Sequence, residues 1–132
     1  MKTIEFRRSF YKISDDSFSH FCYWGIDYPQ KGINTFPSTN SKCYHKNDEQ
    51  FIGLLDKTGN KIYEGDIVLA ELTGLIKYNM KCIIDYENGC FGVRSLEDDI
   101  LVNSKDKFKS FNGCITALRI EIIGNIHENK NL

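Results

Sequence analysis

The chain has 132 residues and a formal net charge of −1, with fractions of apolar and charged residues that are ordinary for a globular protein. This length allows one compact unit or two small lobes, and the balanced charge argues against a basic nucleic-acid-binding stripe and against an acidic DNA mimic. No apolar run reaches the length that a transmembrane helix needs, so a membrane partner is not expected.

The first 28 residues predict an antiparallel β-hairpin. Residues 2–12 alternate between apolar and polar side chains, and residues 18–28 form an aromatic-rich strand after a turn at 14–17. The alternation predicts two faces of the second strand, one with Phe18, His20, Cys22 and Trp24 and the other with Phe21, Tyr23 and Gly25.

Residues 29–49 are predicted to form a loop, because Gly, Pro, Asn and Ser interrupt every periodicity. Ile33 and Phe36 are too apolar for a free linker, so we expect this loop to pack. Long loops often carry function, which makes this one the first place to look for a partner-binding surface. It also separates a predicted N-terminal hairpin and loop region, residues 1–50, from a C-terminal body, residues 51–132.

The segment 51–68 reads FIGLLDKTGNKIYEGDIV. Asp56, Gly59 and Asn60 predict a tight turn, and a second turn at Gly65 and Asp66 opens the next strand. In that strand, Val68, Ala70 and Leu72 are predicted on one face, and Ile67, Leu69 and Glu71 on the other.

The rest of the chain continues the strand and turn pattern. A long strand over 75–86 is predicted to return through the Asn88-Gly89 hairpin turn to residues 90–94. Residues 97–113 predict a solvated excursion with one short strand at 100–102. The last elements are a strand at 114–123 that stops at Gly124 and Asn125, with Ile120 and Ile122 inward, and a single helical turn at 126–129.

These elements predict a mainly-β fold. It would consist of an N-terminal β-hairpin region and a small SH3-like barrel in the C-terminal half, with little helix.

Two segments of the chain resemble motifs of the YopX family, a group of phage and prophage proteins. The central one runs from Gln50 to Val68, and the closing one, EIIGNIHEN, covers residues 121–129. Weaker matches stand at IEFR, residues 4–7, and at YWG, residues 23–25. The resemblance implies a mainly-β fold with a barrel towards the C-terminus and a protein without an assigned activity.

Two acidic patterns near the central motif allow a sharper interpretation. Asp56, Thr58 and Asn60 loosely resemble a calcium loop, but the glycine and the closing glutamate of such loops are missing, so a plain turn is favoured. Glu64 and Asp66 would be an acid pair for general acid–base catalysis only if geometry supported it. We expect the residues of both patterns to form turns.

A mirrored pair of short patterns raises a metal hypothesis. His20 and Cys22 on one segment, with Cys43 and His45 on another, would give zinc four ligands if the segments met, although the spacing is not that of a zinc knuckle. Cys43 with His45 is also the closest thiol and base pair in the sequence. Core packing is the default for Cys82, Cys90 and Cys114.

The aromatic cluster of the second strand suggests a nucleic-acid alternative. Phe18, Phe21, Tyr23, Trp24 and Tyr28 could stack on bases beside Arg7 and Arg8. The neutral overall charge argues against it.

The sequence therefore predicts a phage- or prophage-encoded, non-enzymatic accessory protein that binds a host or phage protein, with self-association as a further option. The alternatives are a single-stranded nucleic-acid-binding module and a zinc- or thiol-dependent protein. No catalytic, cofactor-binding or metal-binding residue and no cofactor is predicted. Five irregularly spaced cysteines and a charged N-terminus predict a protein of the host cytoplasm.

Overall fold

The computed structural model describes residues 2–28, 32–34, 41–72, 78–96, 108–111 and 119–128, and in these ranges it contains ten strands and no α-helix. The strands are β1 (Lys2–Lys12), β2 (Phe18–Tyr28), β3 (Gly32–Asn34), β4 (Cys43–Leu55), β5 (Lys61–Tyr63), β6 (Asp66–Leu72), β7 (Tyr78–Glu87), β8 (Cys90–Ser95), β9 (Phe108–Ser110) and β10 (Ile120–Asn125). The predicted mainly-β class is confirmed. In the described part of the chain, no helix could cross a membrane.

The strands form two five-stranded sheets. The first has the order β3-β2-β1-β4-β5 and the second the order β10-β6-β7-β8-β9. The chain divides into two compact units, Met1–Phe51 and Ile52–Leu132, which are described separately below. The closure of an SH3-like barrel stays a prediction.

In the N-terminal unit, β1 and β2 form the predicted antiparallel hairpin. Asp15 closes its turn, where a carboxylate oxygen accepts hydrogen bonds from both the backbone and the hydroxyl of Ser17. A bulge shifts the register between Phe10 and Tyr11, so that Phe18 lies opposite Tyr11. The prediction that Phe18 shares a face with His20 is therefore wrong, because the bulge moves Phe18 to the opposite face.

The last third of the predicted loop at 29–49 is in fact a strand. β4 begins at Cys43 and pairs with β1 from Lys12 back to Phe6. Its first eight residues, CYHKNDEQ, lack the apolar alternation that marks a strand, and they form one because β1 offers matching partners. A short strand, β3, also falls inside the predicted loop, whereas Phe36 lies outside the described residues.

The C-terminal unit has its core on β6, β7 and β8. The predicted alternation is confirmed for Val68 and Ala70, which are fully buried, but Ile67 on the other face is buried as well. The side chain of Leu72 lies outside the described residues. The core cluster consists of Ile62, Val68, Ala70, Met80, Cys82, Ile84, Val93 and Ile120.

Two predicted turns of this unit have different outcomes. The Asn88-Gly89 hairpin between β7 and β8 is confirmed, with φ of 52° at Asn88 and 81° at Gly89. The last strand does not stop at Gly124, however. It continues to Asn125, which pairs with Asp66 of β6, and residues 126–128 form a hydrogen-bonded turn where a single helical turn was predicted.

The predicted polar excursion at 97–113 contains a strand at a different place. β9 (Phe108–Ser110) pairs with β8, and it approaches closely because position 92 is glycine. The strand predicted at 100–102 lies outside the described residues, as do residues 73–77 and 112–118, which include Cys114.

Candidate interaction surface

The N-terminal sheet has two faces, each with an arginine of β1 at its centre. Residues directly opposite one another on neighbouring strands share a face. The first, called here the tryptophan face, carries Phe6, Arg8, Phe10, His20, Cys22, Trp24, His45, Asp48 and Gln50. The second, called here the tyrosine face, carries Arg7, Ser9, Tyr11, Phe18, Phe21, Tyr23, Tyr44 and Glu49.

On the tyrosine face, Arg7 and Glu49 form a buried ion pair. Arg7 Nε lies 2.9 Å from Glu49 Oε1, and the two side chains are 6% and 8% exposed. The guanidinium of Arg7 also lies 4.3 Å from the centre of the Phe21 ring. Removing one partner of such a pair leaves an uncompensated buried charge, which costs about 3–5 kcal/mol. The pair therefore links β1 to β4 at the position where Arg7 lies opposite Glu49.

On the tryptophan face, Arg8 makes a bidentate hydrogen-bonded contact with Asp48. Arg8 Nε donates to Asp48 Oδ1 at 2.8 Å and Nη2 donates to Oδ2 at 2.9 Å, while the indole nitrogen of Trp24 donates to Oδ1 at 2.9 Å. Burial disfavours the charged carboxylate, but the hydrogen bonds from Arg8 and Trp24 outweigh it and lower the pKa of Asp48. The hydrogen bond to Asp48 in turn raises the pKa of Arg8.

Aromatic side chains continue across the tyrosine face. The rings of Phe18 and Phe21 are 4.9 Å apart, and those of Phe21 and Tyr23 are 6.3 Å apart. Towards β4, Tyr11 lies 6.0 Å from the ring of Tyr44. Tyr11 is buried, whereas Tyr23 is 56% exposed. The tyrosine face thus presents the exposed Tyr23 beside the packed rings of Phe18 and Phe21.

This geometry disfavours the nucleic-acid alternative. That alternative needs Arg7 and Arg8 to reach phosphates, but they are 5% and 8% exposed and each is bonded to a carboxylate of β4. Trp24 stacks on Phe6 at 4.5 Å between ring centres, which shields one side of the indole from a base. The side chain of Tyr28 lies outside the described residues.

The four hypothetical zinc ligands are not brought together. His20 and Cys22 are on β2, Cys43 and His45 are on β4, and β1 lies between these strands. The Phe10 ring separates the two imidazoles, stacked on His20 at 5.0 Å and edge-on to His45 at 6.4 Å. Across the described residues, no three His, Cys, Asp or Glu side chains are arranged to hold a metal ion.

Cys43 and His45, the closest thiol and base in the sequence, differ in their burial. Cys43 is buried at the start of β4, where it lies opposite Lys12, whereas His45 is exposed. Cys82 is a core residue, as predicted, and Cys90 is half-buried beside the hairpin turn. None of the cysteines in the described ranges forms a disulfide.

In the C-terminal unit, Asp56 organises the turn of the central motif. Its Oδ1 accepts hydrogen bonds from the backbone and hydroxyl of Thr58 and from the backbone of Asn60, at 2.7–2.9 Å. Its Oδ2 accepts from the backbone of Ile122 at 3.1 Å. Burial raises the pKa of Asp56, but these four bonds outweigh burial and lower it. Because the carboxylate already accepts hydrogen bonds from four protein donors, a plain turn fits this segment better than a calcium loop.

The second turn of the central motif, at Gly65 and Asp66, is likewise held by hydrogen bonds to an aspartate carboxylate and to backbone groups. Gly65 has a φ of 83°, its N–H donates to the carbonyl of Ile84, and its carbonyl accepts from Ile126 N–H. Asp66 Oδ2 accepts from Tyr63 N–H at 2.8 Å, and Asp66 is buried. Asp66 and Gly65 thus join β6 to β7 and to the closing segment. This is a structural role, and it does not require the acid pair hypothesised for Glu64 and Asp66.

The sequence interpretation missed Asp48 and Glu49, which hold the two arginines. A signal was present, because an Arg-Arg pair on one strand and an Asp-Glu pair on an antiparallel neighbour are matched in charge at adjacent positions. The polar composition around Asp48 concealed the strand, and without the strand the match could not be seen.

The two motif segments meet where Asp66 pairs with Asn125 and where Ile122 N–H donates to Asp56. No match is found among the curated proteins. The family model described as YopX protein matches residues 10–132 of the 132-residue chain, a range that includes both motif segments. The chain therefore belongs to the YopX family.

Proposed function

We propose that this protein is a phage- or prophage-encoded, non-enzymatic accessory protein of the host cytoplasm that acts by binding another protein. We further propose that the tyrosine face of the N-terminal sheet is its contact surface. The observation that carries the proposal is the 56% exposure of Tyr23 beside a packed aromatic row.

Tyrosine suits such a surface for physical reasons. Interfaces are enriched in tyrosine, which offers a large contact area and a polar tip at a low entropic cost. The neighbouring rings of Phe18 and Phe21 and the Arg7–Glu49 pair hold the surface in shape before a partner arrives. A surface that is already ordered loses less free energy on binding.

The electrostatics favour a protein over a nucleic acid as the partner. Residues 1–51 carry seven Lys and Arg against six Asp and Glu, a net charge of +1. Nucleic-acid affinity depends on cations that neutralise phosphates. The two arginines best placed on the sheet are already neutralised by Asp48 and Glu49.

The test uses photo-crosslinking from a defined position. A photoreactive phenylalanine derivative replaces Tyr23 in one variant and Tyr86 in the other, and each is irradiated in host lysate with and without nuclease. Tyr86 is the matched control, because it is a tyrosine of the C-terminal unit with 51% exposure. We expect one protein adduct from position 23 that survives nuclease and is absent from position 86.

A second variant pair separates binding from folding. Tyr23→Ser should abolish co-purification of the crosslinked protein, whereas Tyr86→Ser should retain it, and both should keep the melting temperature. Adducts that vanish with nuclease would instead support the nucleic-acid alternative. An adduct made of two copies of the chain would identify self-association as the function of this face. Equal labelling from both positions would refute the assignment of the surface.

A further inference from the structure

We infer that Asn88 is a site of spontaneous covalent modification, at which the side-chain amide is lost through ring closure with the backbone of Gly89. These two residues form the whole loop between β7 and β8, because Glu87 lies directly opposite Cys90. Both are exposed. This inference does not depend on the proposed function.

The chemistry requires only water. The backbone nitrogen of Gly89 attacks the side-chain carbonyl carbon of Asn88, and a new C–N bond closes a five-membered succinimide. The bond from that carbon to the side-chain nitrogen breaks, and ammonia leaves with the proton that the Gly89 nitrogen gives up. Water then opens either carbonyl of the ring, which gives aspartate or its backbone isomer isoaspartate.

The structure favours this site over the other described asparagines for two reasons. The attacking nitrogen belongs to a glycine, so no side chain hinders its approach. The space beside the Cα of this glycine is open as well, since a Cβ built on Gly89 meets nothing within 4 Å. Asn60 is also exposed in a turn, but it precedes Lys61, and its side-chain nitrogen donates to Thr58 Oγ1 at 3.0 Å.

The product would alter the end of the hairpin. A two-residue turn with positive φ at both positions matches the twist of the strands it joins, and isoaspartate adds one methylene to that backbone. We therefore expect the pairs next to the turn, Glu87 with Cys90 and Tyr86 with Phe91, to loosen. The buried pair of Ile84 and Val93 lies further along the hairpin and should hold.

The experiment incubates the folded, full-length protein at mildly alkaline pH and follows each asparagine by peptide mapping and mass spectrometry. We expect conversion at Asn88, mostly to isoaspartate, with Asn60 unchanged over the same period. Asn112-Gly113 is a second pair of this type in the sequence, and its peptide is scored separately. Asn88→Asp supplies the standard for the aspartate product.

A parallel incubation in urea measures the reaction of the unfolded chain. If Asn88 of the folded protein converts no faster than Asn60, while the unfolded chain converts fully at Asn88, the turn protects the residue and the inference is wrong. Amide exchange at Cys90 and Phe91 provides a separate readout. Faster exchange in the isoaspartate fraction than in Asn88→Asp supports the predicted loosening, and equal exchange contradicts it.

Discussion

Replacing Asp56 by asparagine tests whether the central motif is a structural element. The introduced amide side chain can keep its oxygen towards Thr58 and Asn60, which supply three of the four donors. Its nitrogen then points at the N–H of Ile122, so a partly buried donor loses its acceptor. A buried polar group without a partner costs about 1–3 kcal/mol.

This cost is large relative to the unit that contains it. A unit the size of Ile52–Leu132 is expected to have an unfolding free energy of roughly 4–12 kcal/mol. The loss should lower the urea midpoint of unfolding by on the order of 1 M, for an ordinary dependence of stability on urea. Circular dichroism measures the midpoint, and amide exchange at Ile122 measures the local bond.

The pH dependence of the same variant gives an independent check. Because the pKa of Asp56 is lowered in the folded state, its contribution to stability is fully present above 3.8, the ordinary value, and is lost as the pH falls through the folded value. The amide that replaces it in Asp56→Asn does not titrate. The stability gap between the two proteins should therefore be complete at neutral pH and should close in acid.

Asp15→Asn is the matched control. Asp15 also accepts from the backbone and hydroxyl of the residue two positions on, Ser17, but it is exposed and, within the described residues, has no strand donor comparable to Ile122. Its loss of stability should be smaller. If Asp56→Asn unfolds at the same urea concentration as the wild type, or shifts no more than Asp15→Asn, the structural argument fails.

Substitutions at three further positions, Gly65, Arg8 and Gly92, test other parts of the fold. Gly65→Ala should cost about 1–2 kcal/mol because φ at this position is positive, and Gly65→Asn should cost less; equal thermal stability of all three proteins would contradict this. Arg8→Lys should lose the bidentate contact with Asp48 and lower the stability by about 1 kcal/mol. It should also change the fluorescence emission of Trp24, the single tryptophan, whereas Lys12→Ala should leave that emission unchanged. Gly92→Ala should release β9, since its Cβ would lie 2.3 Å from the carbonyl oxygen of Lys109; amide exchange on Lys109 that matches the wild type would argue against this.

Local patterns predicted the elements that local chemistry decides. The β1–β2 hairpin, the Asn88-Gly89 turn and the buried side of β6 follow from alternation and from residues that tolerate positive φ. Gly65 belongs to this group too, because a turn was predicted there and its φ is positive. In each case, the information lies within a few residues of the element itself.

Tertiary contacts decided the elements that the sequence interpretation missed. β4 begins in a polar segment because Asp48 and Glu49 neutralise Arg8 and Arg7, about forty positions earlier in the chain. The bulge that moves Phe18 to the tyrosine face is likewise a property of the strand pair. β10 continues through Gly124 because β6 supplies backbone partners, although glycine disfavours strands.

The distribution of roles between the two units indicates where function should be sought. Asp56, Gly65 and Asp66 direct their polar groups at backbone atoms of the C-terminal unit, so substitutions there should remove stability and binding together. Tyr23 differs, because it is 56% exposed and is not itself a member of the Arg7–Glu49 ion pair. Loss of binding at an unchanged melting temperature is therefore expected at Tyr23, and the family's central motif is expected to yield folding defects.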